Sequence, residues 1–166
     1  HLHKDVPKTL EEQSEKYYEL FRDACKLRLI SDVPVGTALS GGLDSTAVYS
    51  TVFDIIQKEQ LSRSSGDSSR AFVATFPGLI SDERAYAEAA IAYTGGPVEY
   101  LVPNVENLGD ALIADTKKFD ALSSNPITSV SGIYKGMKAA GITVSMDGHG
   151  VDEMQYGYRD MLYNLF

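Results

Sequence analysis

Two short glycine-rich segments carry residue types that could bind phosphate. The first is Ser40-Gly41-Gly42-Leu43-Asp44-Ser45, which follows the apolar run 33–39. This order predicts a buried strand, a tight turn and a helix that begins near Asp44. Such a turn directs backbone N–H groups and the positive end of a helix dipole toward one point, where phosphate is favoured. A carboxylate beside bound phosphate is a suitable Mg²⁺ ligand, so the segment predicts a site for ATP and Mg²⁺.

The second segment is Asp147-Gly148-His149-Gly150, which follows a predicted strand and precedes Asp152 and Glu153. The carboxyl ends of parallel strands share one edge of a sheet, and ligands bind outside that edge. Asp44 and Asp152 would then hold Mg²⁺ between them on the nucleotide phosphates, where it screens negative charge. The alternative is that Asp152 and Glu153 are acids that stabilise a helix N-terminus. We favour the metal role for Asp152, whereas the helix role is at least as well supported for Glu153.

The elements between these segments alternate between strand and helix patterns. Strands are predicted at 34–39, 71–76, 98–102 and 142–146. Helices are predicted near 9–29, 44–56 and 81–93, from 104 or 107 through the 110s, from 124 or 125 to 141, and after 150. Thr9 and Glu12 resemble a capping box, and Ser81 is the expected cap of the third helix. The alternation predicts an α/β fold with a mainly parallel sheet and helices on both faces.

Length and composition limit the class of protein. The 166 residues form one predicted domain, and the net charge of −8 argues against a nucleic-acid surface. No apolar run is long enough to cross a bilayer, and the single Cys25 excludes an internal disulfide framework, which favours a cytoplasmic protein. Cys25 is expected to be a buried structural thiol. The apolar segment 161–166 suggests an excised piece of a longer protein, whose exposed face a missing segment or another subunit would cover.

The first segment is not a Walker-type phosphate loop, because no lysine follows its glycines. Together with the preceding Arg28–Gly36 (Arg-Leu-Ile-Ser-Asp-Val-Pro-Val-Gly), it resembles the N-type ATP pyrophosphatases and, among them, the synthetase domain of the asparagine synthetase family. Gly148–Glu153 is similar to that family's G-E-G-S-D-E segment, and weaker matches cover 72–78, 81–87 and 120–128. The alternative is a serine- and glycine-rich turn in an ordinary α/β domain.

The resemblance implies an adenine-nucleotide alpha-hydrolase-like fold and a set of site residues. Pyrophosphate would be bound by the residues of the first segment, which are Ser40, Gly41, Gly42, Leu43, Asp44 and Ser45. Adenine would meet the backbone at Leu39 and Ala74, with Thr75 beside them, and Gly148 would approach the nucleotide closely. Mg²⁺ would bind Asp44 and Asp152. The implied reaction activates a carboxylate, aspartate in the first instance, as an acyl-adenylate with release of pyrophosphate, and ammonia then forms asparagine and AMP.

Two departures from the family pattern affect the substrate assignment. His149 stands where the family usually carries glutamate, and Met146-Asp147 replaces the usual Leu-Ser. His149 could act as a general base or contact the substrate, or it could only cap the turn or touch a phosphate. A related amidotransferase or lactam-forming ligase acting on a sugar, antibiotic or peptide carboxylate is therefore an alternative. A noncatalytic ATP-binding module is another.

The sequence does not identify the nitrogen source or the further segments that a complete enzyme would need. The glutamine-dependent members of the family carry a separate glutaminase domain, and Cys25 does not match its catalytic cysteine. Ammonia would come from a missing domain, from a partner subunit or from solution. The family's later helices, which supply a lysine, would also lie beyond Phe166. Oligomerisation is possible.

Overall fold

The computed structural model describes residues 6–59, 70–103, 107–120, 128–155 and 157–158. Within these residues, strands and helices follow one another in the predicted order, with two helices between the third and fourth strands. The helices are α1 (Leu10–Arg28), α2 (Leu43–Glu59), α3 (Arg84–Thr94), α4 (Leu108–Phe119), α5 (Thr128–Ala139) and α6 (Val151–Gln155). The strands are β1 (Val35–Ala38), β2 (Arg70–Ala74), β3 (Val98–Leu101) and β4 (Val144–Ser145).

The four strands of the described residues form one parallel sheet in the order β3-β2-β1-β4. β1 has a neighbour on each side, with Gly36 opposite Arg70 of β2 and Val35 opposite Val144 of β4. Because all strands run in the same direction, β1 and β4 end side by side. The turns that follow them therefore lie at the same edge of the sheet. This arrangement confirms the predicted α/β fold with a mainly parallel sheet.

Helices cover both faces of the sheet, as parallel strands require. On one face, Val73 of β2 packs in a cluster with Tyr49 of α2 and Ala87 of α3. The next side chain back along β2, Phe72, points to the opposite face and packs with Met137 of α5. Side chains alternate across a strand, so β2 is buried by apolar residues on both sides. The two apolar layers fix the position of the strand ends that carry the two glycine-rich turns.

A third apolar cluster joins α1 to the sheet. Cys25 of α1 is buried there with Val52 of α2 and Met146, which follows β4. Burial raises the pKa of the Cys25 thiol. A raised pKa lowers the thiolate fraction and hence the nucleophilicity of a cysteine. The prediction that Cys25 is a buried structural thiol is confirmed.

The predicted cap of α1 is present, whereas the predicted cap of α3 is not. The capping box of α1 is present, because the Thr9 hydroxyl accepts from the N–H of Glu12 (3.2 Å) and the Glu12 carboxylate accepts from the N–H of Thr9 (3.2 Å). The prediction that Ser81 caps α3 is wrong. Asp82 closes a turn on the carbonyl of Leu79 (3.1 Å), and α3 begins only at Arg84. The N–H of Arg84 donates to the Asp82 carboxylate (3.1 Å). Asp82 therefore provides the side-chain acceptor expected from Ser81.

β4 is shorter than the predicted strand 142–146. The N–H of Ile142 donates to the carbonyl of Met137 (2.8 Å), so Ile142 belongs to the turn that ends α5. The possible helix starts at 104, 124 and 125, most of the predicted polar loop 59–70 and the apolar segment 161–166 lie outside the described residues. Among the described helices, none has both the length and the apolar character needed to span a membrane.

Candidate active site

Two serine hydroxyls hold the turn between β1 and α2. Ser45 Oγ accepts a hydrogen bond from the N–H of Ser40 (3.3 Å) and donates one to the carbonyl of Gly42 (3.2 Å). Ser40 Oγ accepts from the N–H of Gly42 (3.2 Å) and shares a further hydrogen bond with Ser45 Oγ (3.0 Å). All four bonds join residues of the turn to one another. The segment 40–45 therefore defines its own shape.

Gly41 lets this turn pass close to α3. Its φ is +85°, in the left-handed region, and a β-carbon at this position would lie 2.5 Å from both the nitrogen of Ala87 and the β-carbon of Tyr86. Only glycine meets both constraints. α2 then opens with the N–H groups of Leu43 and Asp44, which by their position have no acceptor within the helix. These groups and the helix dipole create partial positive charge at the start of α2.

The second turn packs directly against the first. A β-carbon at Gly148 would lie 2.7 Å from the nitrogen of Ser45 and 3.0 Å from the β-carbon of Asp44. The backbone at Gly148 therefore touches the first turn of α2, and a larger residue would push the two turns apart. The expected meeting of the two glycine-rich turns at one edge of the sheet is confirmed.

Both turns open into a cavity of about 660 Å³, which lies within the range of small-molecule sites. Most residues predicted for the site line this cavity, namely Leu39, Ser40, Gly42, Leu43, Asp44, Ser45, Ala74, Gly148, His149 and Asp152. Gly41 and Thr75 are not part of its wall. Gly41 lies against α3. Thr75 is buried, and its N–H donates to the carbonyl of Leu101 (2.8 Å).

No role at the site is predicted from the sequence for the other lining residues, which are Ala38, Phe76, Ser81, Glu83, Val130, Ile133, Tyr134 and Asp147. Three of them, Val130, Ile133 and Tyr134, lie on one side of α5. Their i, i+3, i+4 spacing predicts a helix face. The spacing does not reveal which cavity that face lines, because the position of α5 depends on packing against β2.

Asp147 ties the second turn to three other parts of the fold. Its Oδ1 accepts from the N–H of Ala38 (3.1 Å) and from the hydroxyl of Ser145 (2.5 Å). Its Oδ2 accepts from the hydroxyl of Tyr134 (2.7 Å) and lies 3.8 Å from Nδ1 of His149. The Asp147 side chain is only 11% exposed, whereas that of His149 is 74% exposed. A nearly buried carboxylate thus stands behind an accessible imidazole.

The Tyr134 phenol is a neutral donor to this carboxylate. Burial, and then the hydrogen bond to Asp147 and its negative charge, raise the pKa of Tyr134 to about 12. The hydroxyl therefore keeps its proton throughout the physiological pH range. It holds Asp147 Oδ2 in one orientation and carries no charge into the cavity.

The two acids that begin α6 face different surroundings. Asp152 lines the cavity, and a side chain at Gly157 would meet its carboxylate, so glycine there leaves room for Asp152. Glu153 is not among the lining residues, and its Oε1 lies 3.5 Å from the hydroxyl of Tyr158. Asp152 can therefore reach a ligand, whereas Glu153 is directed toward the residues that follow α6.

The charged lining of the cavity is mostly acidic. Among the described lining residues, the ionisable acids are Asp44, Glu83, Asp147 and Asp152, and His149 is the only basic side chain. A polyphosphate could enter such a cavity only together with cations. No group of three or more histidine, cysteine or acidic side chains in the described part of the chain is arranged to hold a metal alone. This donor set suits Mg²⁺, which uses one or two carboxylates and completes its shell with phosphate oxygens and water.

A parallel sheet with a serine- and glycine-rich turn opening a helix at its carboxyl edge is the fold of the N-type ATP pyrophosphatases. The family model described as asparagine synthase matches residues 16–165. The match covers both glycine-rich turns and nearly the whole chain. The chain belongs to the asparagine synthase family.

Curated relatives agree with this assignment. The chain is 31% identical over 141 residues to asparagine synthetase [glutamine-hydrolyzing] 2 of Oryza sativa subsp. japonica, a match that covers 83% of the chain and 24% of the relative. Asparagine synthetase [glutamine-hydrolyzing] 3 of Arabidopsis thaliana is 30% identical over the same coverage of both chains. Asparagine synthetase [glutamine-hydrolyzing] of Zea mays is 27% identical, over 84% of the chain and 24% of the relative. The chain thus spans about a quarter of the length of these relatives.

Proposed function

We propose that this chain is the ATP-binding part of an amide-forming ligase. The ligase activates a carboxylate as an acyl-adenylate with release of pyrophosphate, and an amine nitrogen then displaces AMP. The observation that carries the proposal is the contact between the two turns at Gly148 and Ser45, because it directs both acidic residues, Asp44 and Asp152, into one cavity. Membership of the asparagine synthase family supports the same reaction class.

The phosphates of ATP would lie at the start of α2. Leu43 and Asp44 line the cavity, and N–H groups at the start of a helix favour an anion. Ser40 and Ser45 would contribute mainly through the shape of the turn, since their hydroxyls already bond one another and the turn backbone. Adenine would meet Leu39 and Ala74, both of which line the cavity. Gly41 and Thr75 do not line the cavity and would contribute by fixing the backbone conformation next to it.

Asp44 and Asp152 would hold Mg²⁺. Both line the cavity, and the acidic lining leaves the charge of bound phosphates otherwise uncompensated among the described residues. The ion would supply charge neutralisation as the α–β bond of ATP breaks. The protein's own contribution would be to orient the carboxylate and the α-phosphate, and to keep developing charge next to fixed N–H dipoles.

Aspartate is the first candidate for the carboxylate, and ammonia for the amine. The relatives named above are glutamine-hydrolysing synthetases, so a glutaminase domain or subunit is the proposed ammonia donor. We further propose that the chain is one portion of a longer protein, since the relatives are about four times as long as the matched region. If the glutaminase is a separate subunit, it would have to associate with this protein, so the proposal includes a possible oligomer.

A second substrate class is favoured by the composition of the cavity wall. His149 and Asp147 both line the cavity, and both are departures from the family pattern. A pocket with an imidazole and a buried carboxylate presents different charges to a substrate than a pocket with glutamate and serine. The carboxylate of a sugar acid, an antibiotic precursor or a peptide is therefore the alternative substrate.

The test is pyrophosphate release by the whole protein from ATP and Mg²⁺, with ammonia supplied and with aspartate compared against other carboxylates. We expect release that depends on one carboxylate and falls about 10²-fold or more in Asp44→Asn and Asp152→Asn, because charge compensation at phosphate is lost. Asp110→Asn, an exposed substitution on α4, is the control and should match the unchanged protein. ATP binding without pyrophosphate from any carboxylate would instead support a noncatalytic binding module.

A further inference from the structure

The Tyr134, Asp147 and His149 side chains form a linked group at the cavity wall. They come from two elements that are apart in the sequence, α5 and the turn after β4. The Tyr134 hydroxyl donates to Asp147 Oδ2 (2.7 Å), and Nδ1 of His149 lies 3.8 Å from the same oxygen. All three residues line the cavity. We refer to them as the wall triad.

The carboxylate of the wall triad is fixed by hydrogen bonds from groups other than the imidazole. Asp147 Oδ1 is fixed by the N–H of Ala38 and the hydroxyl of Ser145, and Oδ2 is fixed by Tyr134. These three donors are neutral. A carboxylate fixed in this way can orient a neighbouring imidazole by accepting from its Nδ1–H.

We propose that Asp147, itself anchored by Tyr134, is a positioning residue for His149, and that His149 takes the proton of the attacking amine. The proposal rests on the ligase function proposed above. With Nδ1 directed at Asp147, Nε2 of the exposed ring is the nitrogen left for a molecule in the cavity. The 3.8 Å separation must shorten by about 1 Å for a hydrogen bond, which is common when catalytic contacts tighten around a substrate.

The proton transfer belongs to the second half of the ligase reaction. The amine nitrogen forms a bond to the acyl carbon, and the bond from that carbon to the phosphate oxygen of AMP breaks. AMP leaves with the electron pair of that bond. One proton of the nitrogen passes to Nε2 of His149, and the resulting imidazolium is stabilised by Asp147. No other reactant is needed beyond the acyl-adenylate and the amine.

The charged groups near the wall triad come from several elements. The α2 side of the cavity contributes Asp44, the segment before α3 contributes Glu83 and α6 contributes Asp152. Asp147 and Tyr134 also line a second cavity, whose charged side chains include Lys118 of α4 and Lys135 and Lys138 of α5. The acids Asp44 and Asp152 are the proposed partners of Mg²⁺. Asp147 differs from them because its two oxygens are already bonded to the protein, so it is suited to orient a side chain and poorly suited to bind an ion.

The experiment separates the two half-reactions of the whole protein. Pyrophosphate formation with the accepted carboxylate reports adenylation, and amide formation in a single turnover reports attack by ammonia. In Asp147→Asn we expect amide formation to fall about 10²-fold, and to fall at least about tenfold more than adenylation. His149→Asn should lower amide formation by a similar factor, and the double variant should lose little more, because the two residues act as one unit.

Matched variants distinguish positioning from a structural effect. Asp147→Glu retains the charge and should recover about tenfold of the lost amide formation, and Tyr134→Phe should lose less than Asp147→Asn. Asp115→Asn is the control, since Asp115 is another buried carboxylate that accepts from a hydroxyl, that of Ser131 (3.1 Å), outside the cavity wall. It should leave the ratio of the two half-reactions unchanged.

Two results would overturn the positioning role while leaving the ligase function intact. One is equal loss of both half-reactions in Asp147→Asn, which marks a structural role. The other is an amide-forming rate that depends on His149 and is unaffected by Asp147→Asn. If the unchanged protein forms no pyrophosphate with any carboxylate, the ligase function itself fails, and the positioning role fails with it.

Discussion

The two turns that form the cavity are stabilised in opposite ways. The first turn is bonded within itself, through hydroxyls of Ser40 and Ser45 that contact residues of the same segment. The second turn is bonded outward, through Asp147, to the end of β1 and to Tyr134 of α5. The hydrogen bonds of the first turn depend on its own residues, whereas those of the second turn depend on its neighbours. The first suits a general phosphate site, and the second suits a substrate-specific wall.

The largest effect is expected from separating the two turns. In Gly148→Ala, the new β-carbon would lie 2.7 Å from the nitrogen of Ser45, and backbone atoms cannot move aside as a flexible side chain can. We expect the free energy of unfolding to fall by roughly 1–3 kcal/mol from overpacking. ATP affinity should fall as well, because the start of α2 is displaced. Denaturant unfolding and nucleotide titration measure the two effects.

A glycine without neighbours provides the control for that substitution. A β-carbon at Gly109 of α4 would have no atom within 4 Å. Gly109→Ala should therefore stabilise the protein by about 0.5–1 kcal/mol, because alanine favours the helix. Wild-type stability and ATP affinity in Gly148→Ala would show that the contact between the turns is not needed.

A smaller effect is expected from the internal bonding of the first turn. Ser45→Ala removes the acceptor for the N–H of Ser40 and the donor to the carbonyl of Gly42. We expect a loss of about 1 kcal/mol in the free energy of unfolding and a weaker affinity for ATP. The partly buried Thr94 hydroxyl, which donates to the carbonyl of Ala90 (3.2 Å), allows Thr94→Val as a comparison away from the cavity. Equal ATP affinities in the two variants would contradict the role given to Ser45.

The contrast between the turns also explains what the sequence could predict. The parallel direction of the strands, the start of α2 and the meeting of the two turns at one edge of the sheet all follow from local patterns and from the geometry of parallel sheets. The failure at Ser81 has a local cause, since a competing turn through Asp82 takes over the capping role. Helix-start chemistry alone did not distinguish these two neighbours.

The wall triad could not be predicted, because its contacts join residues far apart in the chain. Tyr134 lies 13 residues before Asp147, and Ala38 lies 109 residues before it. The sequence marks Asp147 only as an additional acid at the end of a strand. Its role depends on α5 packing across β2 and on β4 pairing with β1, and both depend on tertiary contacts. The functions of the individual site residues remain predictions that the substitutions above would test.

The smallest effect expected is a change in stability at alkaline pH, and it tests whether the Tyr134 phenol is buried and bonded beside Asp147. The pKa of Tyr134 in the folded protein is about 12, above its ordinary value of 10.0. The folded state therefore holds the phenol proton more tightly than the unfolded chain. This contribution to stability is complete below about pH 10 and is lost as the pH rises toward about 12. Tyr134→Phe should remove that part of the decline.

The measurement is the free energy of unfolding in urea at several values between about pH 8 and about pH 11.5, for the unchanged protein and for Tyr134→Phe. Other tyrosines titrate in the same range, so Tyr93→Phe, at an exposed position on α3, is the matched control. The curve of Tyr134→Phe should become flatter, while that of Tyr93→Phe should follow the unchanged protein. Because Tyr134 is itself 40% exposed, solvent screening keeps the difference small. Three parallel curves would contradict the raised pKa of Tyr134, and with it the burial and hydrogen bonding of its hydroxyl beside Asp147.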